Sequence, residues 1–264
     1  MRAFVEGVGL IGPGLAGWVA GGAALAGREE YRPAPTAIPA SELLPAAERR
    51  RTGTPVKLAL AAGAEAFAGA RREAAATATV FASSAGDCDN LHALCEALAT
   101  PERQVSPTRF HNSVHNAAAG YWSIAMRSRS PSTSLCCHDN SMTAGLLEAA
   151  CQVAAGEPVA LIAYDHPYPE PVSAARPVSA SFGMALVLAP RASERAVAAL
   201  DVVFLPERAA ATPMADAGLE ALRRGVPAAR GLPLLAALAR GGSATLVLDY
   251  VEGTHLRVTL APCA

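Results

Sequence analysis

The stretch Ser106–Asn140, SPTRFHNSVHNAAAGYWSIAMRSRSPSTSLCCHDN, holds the pattern on which the reading of the fold turns. Asn116–Ser128 reads as a helix, Ser132–Cys136 as a short strand, and Asn140–Ala155 as the helix which that strand feeds. Cys136 and Cys137 are neighbours on or beside a strand, so one side chain faces the sheet layer and the other turns away. Core packing is the ordinary use of such cysteines. The same alternation separates Cys137 from His138, a poor arrangement for a nucleophile and its base.

Outward from this stretch, strand and helix alternate. Strands are expected over Ala3–Val8, Thr77–Ala82, Val159–Tyr164 and Gly183–Leu188, with helices over Val56–Ala70 and Asp89–Ala99. That alternation predicts an α/β fold with helices on both faces of a mixed sheet. Residues 165–180, with Pro167, Pro169, Pro171 and Pro177, read as a loop. From Arg191 the pattern changes to a strand Asp201–Leu205, helices Ala215–Arg224 and Pro233–Arg240, and a hairpin of Ala244–Tyr250 with Thr254–Leu260. No internal repeat is present, and two units are expected, 1–190 and an extension 191–264 packed on it.

Composition narrows the function classes. A net charge of -1 supplies neither a basic field for nucleic acid nor a polybasic membrane patch. The six cysteines form no C-x-x-C pair and no zinc spacing, which suits a reduced, cytoplasmic protein. His111 and His115 stand four apart, but no carboxylate or cysteine joins them at ligand spacing, and no metal is expected. Met1–Gly27 is apolar, yet Glu6, Pro13 and eight glycines argue against a leader or a spanning helix. Gly7, Gly9 and Gly12 satisfy G-x-G-x-x-G, but Pro13 and Gly14 occupy the place of the helix turn that a dinucleotide loop needs. A glycine turn under the sheet is expected instead, with no cofactor.

The long stretch also resembles the β-ketoacyl synthases. Asn116, Ala119, Gly120, Ser123 and Ile124 fit the pattern N-x-x-A-G-x-x-S-I of that family, and Pro131, Ser132 and Ser134 fit its P-S-x-S strand. Ala3–Pro13, Arg50–Phe67, Thr77–Gly86 and Phe182–Pro190 are similar to further segments of the first half of the synthase fold. Ser106–Tyr121 resembles the short ketosynthase-like chain length factors of aryl polyene and dialkylresorcinol clusters. The resemblance implies a thiolase-like α/β/α layering around a mixed five-stranded sheet, with a small C-terminal α+β extension ending in a hairpin.

In the resembled family the acyl-accepting cysteine stands eight residues after the proline. Counting without a gap from Pro131 lands on Asp139, with the strand then at Thr133–Cys137 and the helix at His138–Ala150. A carboxylate cannot replace the thiol, because attack on a thioester would produce an anhydride. The two histidines and the lysine of the family's second half are also missing, so the resemblance implies a chain that is no enzyme by itself. It implies a heterodimer with a catalytic β-ketoacyl synthase, with acyl carrier protein reached through that complex. The expected interface comprises Asn116, Tyr121, Ser132, Thr133, Ser134 and Leu135, where an edge strand and an apolar face short of a cover await a partner. Expected to close the partner's acyl tunnel, and so limit product length in polyketide or fatty-acid-type elongation, are Thr108, Arg109, Phe110, His111, Asn112 and His115, with Leu91, Leu94 and Leu98 of the facing helix. Two alternatives stay open at this point: an acyltransferase or thioesterase using Cys137 or Cys136, and a homodimeric lipid-binding or assembly protein.

Overall fold

Eleven residues, Arg2–Gly12, form β1, which is buried from Val5 to Gly12 and lies near the middle of the sheet. The computed structural model describes residues 1–40 and 42–263. After β1 come β2 (Leu15–Ala16), α1 (Trp18–Leu25), α2 (Ala46–Arg49), α3 (Thr54–Ala70), β3 (Ala78–Ala82), α4 (Cys88–Ala99), α5 (Pro107–Asn112), α6 (Ala117–Met126), β4 (Ser132–Leu135) and α7 (Ser141–Ala154). The chain continues through β5 (Val159–Asp165), α8 (Val172–Ala175), β6 (Phe182–Ala189), β7 (Ala198–Leu205), α9 (Ala217–Gly225), a 3-10 turn at Pro227–Gly231, α10 (Leu232–Arg240), β8 (Ala244–Asp249) and β9 (His255–Ala261). Among the described residues no helix is long and apolar enough to cross a membrane.

The strands form one sheet in the order β4-β3-β5-β6-β1-β7-β9-β8, with β2 folded back on β1. β3 is parallel to β4 and β5; the remaining pairs on that path are antiparallel. The mixed five-stranded sheet expected from the sequence is the part from β4 to β1. The correction is that it does not stop there: β1 uses its second edge to pair with β7, Arg2 to Asp201 through Val5 to Ala198, and so draws the C-terminal strands into the same nine-stranded sheet. The hairpin β8–β9 forms its far margin. Position 190 falls in the turn between β6 and β7.

β5 and β6 are buried on both faces, and alternate residues go to opposite cores, Leu161 to one and Ile162 to the other. α3 and α6 cover one face. Trp122 of α6 packs on Phe67 and Phe81 with ring centroids 5.4 and 6.3 Å away, filling space that Gly63 of α3 leaves open. Gly7 and Gly9 are not a turn but mid-strand residues: a Cβ on either would lie about 2 Å from the carbonyl oxygen of Ala66 or Ala62, so their bareness lets the α3 backbone lie directly on β1.

α7 begins the cover of the second face. The expectation of a bare apolar face there is overturned, because Leu232, Leu234 and Leu235 and the 3-10 turn before them are buried over the same core as Leu10, Met184, Leu246 and Val258. The C-terminal segment thus supplies apolar surface that the sheet would otherwise expose to water.

A β-bulge between Val5 and Gly7 aims Glu6 inward, where its side chain is fully buried and takes Arg72 at 2.6 and 2.8 Å and the Ser193 hydroxyl at 2.7 Å. Removing one partner of such a pair leaves an uncompensated buried charge. Arg72→Ala is therefore expected to lower stability by about 3 to 5 kcal/mol, and the double change Glu6→Gln with Arg72→Met by clearly less. Urea unfolding of the three proteins at neutral pH measures the difference.

Candidate functional site

Between β4 and α7 the chain makes an elbow. Asn140 is the N-cap, so α7 starts at Ser141, three residues later than an ungapped alignment of the motif places it. His138 takes the left-handed conformation, φ 49°, which turns the chain from strand to helix. Ser141 holds the turn closed, its hydroxyl accepting from the Cys137 amide at 2.9 Å and donating to the His138 carbonyl at 2.7 Å.

Asp139 sits in this turn with one guanidinium on each carboxylate oxygen. Arg176 Nη2 lies 2.8 Å from Oδ1 and Arg230 Nη2 lies 3.3 Å from Oδ2, while Arg230 Nη1 donates to Asn140 Oδ1 at 2.7 Å. Arg176 Nη1 also lies 2.5 Å from His138 Nε2. Burial pushes the Cys137 thiol above its ordinary range, and the exposed Cys136 donates its S–H to the Ser84 carbonyl at 3.0 Å.

From Arg176 the polar contacts run inward. Arg176 Nε donates to Tyr168 Oη at 3.3 Å, Tyr168 Oη lies 2.7 Å from Ser84 Oγ, and Ser84 Oγ donates to Asp165 Oδ1 at 2.7 Å. An arginine can only donate and an ionised carboxylate only accept, so every hydroxyl in this chain points the same way. Asp165 is 2% exposed, and burial lifts its pKa to about 6 against the pull of Ser84, Ala228 and Ser83. Its other oxygen accepts the Ala228 amide at 2.8 Å. None of Tyr168, Arg176, Ser84, Asp165 or Arg230 stands near Asp139 in sequence, and no local spacing marks them.

Five of the candidate tunnel residues divide over two clefts. Phe110 and His111 share an apolar cleft of about 550 Å³ with Pro107, Val114, Tyr121 and Ile124, which Asn116, Ala117 and Gly120 also line. Phe110 is 69% exposed, Val114 51% and Ile124 46%, a cluster of large apolar groups in water. Thr108, Arg109 and Asn112 face a separate polar cleft with Arg50, Arg51, Asp87 and Asp89. Their grouping with Phe110 in the sequence is thus undone by the helical turn of α5, whose successive residues leave the axis in different directions. His115 turns inward, its Nε2 3.0 Å from the Ser83 carbonyl, and Asn112 is buried, accepting from Tyr121 Oη at 3.0 Å. On α4, Leu94 is buried while Leu91 and Leu98 are exposed; Asn90 ties that helix to α5 through the Arg109 carbonyl at 2.7 Å.

The expected interface residues also separate. Ser132, Thr133, Ser134 and Leu135 form β4, the edge of the sheet, whereas Tyr121 is buried and only part of it reaches the cleft. Leu135 packs against the core on the α7 side. Val114, Ile124 and Pro107 were not among the candidates, although Val114 follows Phe110 by one helical turn of spacing and Ile124 belongs to the matched motif.

The sequence profile of the β-ketoacyl synthase N-terminal domain matches residues 25–244, most of the chain. The chain belongs to the β-ketoacyl synthase family. This β-ketoacyl synthase-family protein shares its fold with solved structures along its whole length. One is the ketosynthase ApeO in complex with its chain length factor ApeC from Xenorhabdus doucetiae: 20% identity, 98% of this chain and 99% of that chain covered, TM-score 0.75. Another is the ishigamide ketosynthase/chain length factor, at 16% identity with both chains covered to 100% and a TM-score of 0.74. A β-ketoacyl synthase from Burkholderia phymatum has 12% identity, 100% coverage of both chains and a TM-score of 0.68. No curated protein matches the sequence.

Proposed function

We propose that this chain is a chain length factor: a noncatalytic ketosynthase-like subunit that pairs with a catalytic β-ketoacyl synthase and closes the far end of its acyl tunnel. The observation that carries the reading is the apolar cleft of Phe110, Val114 and Ile124 lying on the same chain as a β4 edge unpaired among the described residues and an elbow filled by Asp139. A family member that offers a partner an open apolar surface and a free strand edge, while its own elbow carries a carboxylate between two arginines, has the parts of a subunit that shapes a site and lacks those of one that performs chemistry. The fold shared with ketosynthase/chain length factor structures supports the same reading. Polyketide or aryl polyene elongation on an acyl carrier protein is the matching substrate class, and the partner supplies the thiolate.

The test is co-expression with a catalytic synthase, followed by incubation of the purified pair with an acyl-carrier thioester and intact-protein mass spectrometry. A 1:1 complex with the acyl adduct on the synthase alone is expected. An adduct on Cys136 or Cys137 of this chain would instead make it an acyltransferase, and a stable homodimer that ignores the synthase would make it an assembly protein.

A further inference from the structure

The polar contacts around the elbow close on themselves. Asp139 holds Arg176, Arg176 reaches Asp165 through Tyr168 and Ser84, Asp165 takes the Ala228 amide, and two residues further on Arg230 returns to Asp139. One ring therefore fastens the β4–α7 elbow, the loop before α8, the end of β3, the end of β5 and the 3-10 turn Pro227–Gly231. That turn leads into α10, the C-terminal cover of the sheet. The charges at the elbow do not cancel without Asp139: Arg176 and Arg230 are both positive, both mostly withdrawn from water with side chains 23% and 22% exposed, and both converge on one point. Like charges brought together there repel unless an anion stands between them.

We propose that the elbow is a carboxylate site filled by the chain's own Asp139, and that this internal ligand positions the turn Pro227–Gly231 and thereby the C-terminal cover. Asp139 is then a positioning residue with a present task. The inference does not rest on the pairing with a synthase, since every group in the ring belongs to this chain. It assigns the two arginines a ligand class as well, a small carboxylate accepted on one guanidinium per oxygen.

The experiment removes the internal ligand and offers an external one. Asp139→Ala is expected to lower the melting temperature by roughly 2 to 4 °C and to speed hydrogen exchange at the Ala228 and Ala229 amides, which lie in the turn and far from the substitution in sequence. Added formate or acetate is expected to restore both readings, and chloride at equal ionic strength is not, because chloride cannot bridge two guanidiniums in the same way. With Arg230→Ala on the Asp139→Ala background, formate should have no effect. Asp139→Asn, which keeps the shape and loses the charge, should speed exchange in the turn as alanine does but without rescue by formate, because its own amide fills the space, and it serves for the exchange reading if the alanine protein does not fold. Exchange in the turn unchanged in both variants, or formate no better than chloride, would overturn the proposal.

Discussion

With Phe110 replaced by alanine, the reconstituted pair is expected to make longer products. In the isolated chain the substitution is nearly silent, because a side chain 69% exposed has little packing to lose, and surface changes of that kind stay within about 0.5 kcal/mol. In the proposed complex the same ring would be walled in by the partner. Its removal opens a cavity that a growing acyl chain fills with apolar contact, room for about one or two further two-carbon units at roughly 0.8 kcal/mol for each methylene buried. His111→Ala, on the same cleft, is expected to act in the same direction and less strongly. Arg109→Ala is the contrast: Arg109 faces the polar cleft with Arg50 and Arg51, so product length should not move. Mass spectrometry of the products of the three complexes gives the comparison. Unchanged lengths for both Phe110→Ala and His111→Ala, with the complexes intact, would make this segment interface packing and place the ruler in the synthase.

Ser134→Pro is expected to separate the two chains. The carbonyls of Pro131 and Leu135 accept from Thr79 and Ser83 of the neighbouring strand, so the odd-numbered residues of this segment turn their backbone groups toward β3. In a pleated strand the N–H and C=O of one residue share a side and alternate with those of the next, which leaves Ser132 and Ser134 facing outward along the free edge. Proline at 134 removes an outward donor and fills the edge with its ring, while the ladder to β3 keeps its bonds. If a partner strand pairs there, the change should cost the complex about 3 kcal/mol, roughly a hundredfold in Kd, with the melting temperature of the isolated chain nearly unaltered. A charge at Leu135 would be a poorer probe, since that side chain also serves the core of its own subunit. Co-purification and affinity unchanged by Ser134→Pro would move the interface away from β4.

Much of the layout was legible. The strands around β3, β5 and β6 and the helices α3, α6, α7 and α10 begin and end within a few residues of where apolar pattern and proline punctuation place them. The site was legible in part. Ser106–Asn140 contains both Asp139 and Phe110, but the spacing of letters could not say that Phe110 and Arg109 part company on α5.

The sequence by itself determined the family, the alternation of strand and helix and the carboxylate at the elbow, because these depend on residue type and local order. Only the tertiary structure decided what surrounds that carboxylate. Arg176 and Arg230 stand 37 and 91 positions beyond Asp139 and are brought to it by the path of the sheet, as β7 is brought to β1. Contacts of that kind form when distant segments bury apolar surface together, and the free energy that selects them belongs to the packed core as a whole, which no window of neighbouring residues contains.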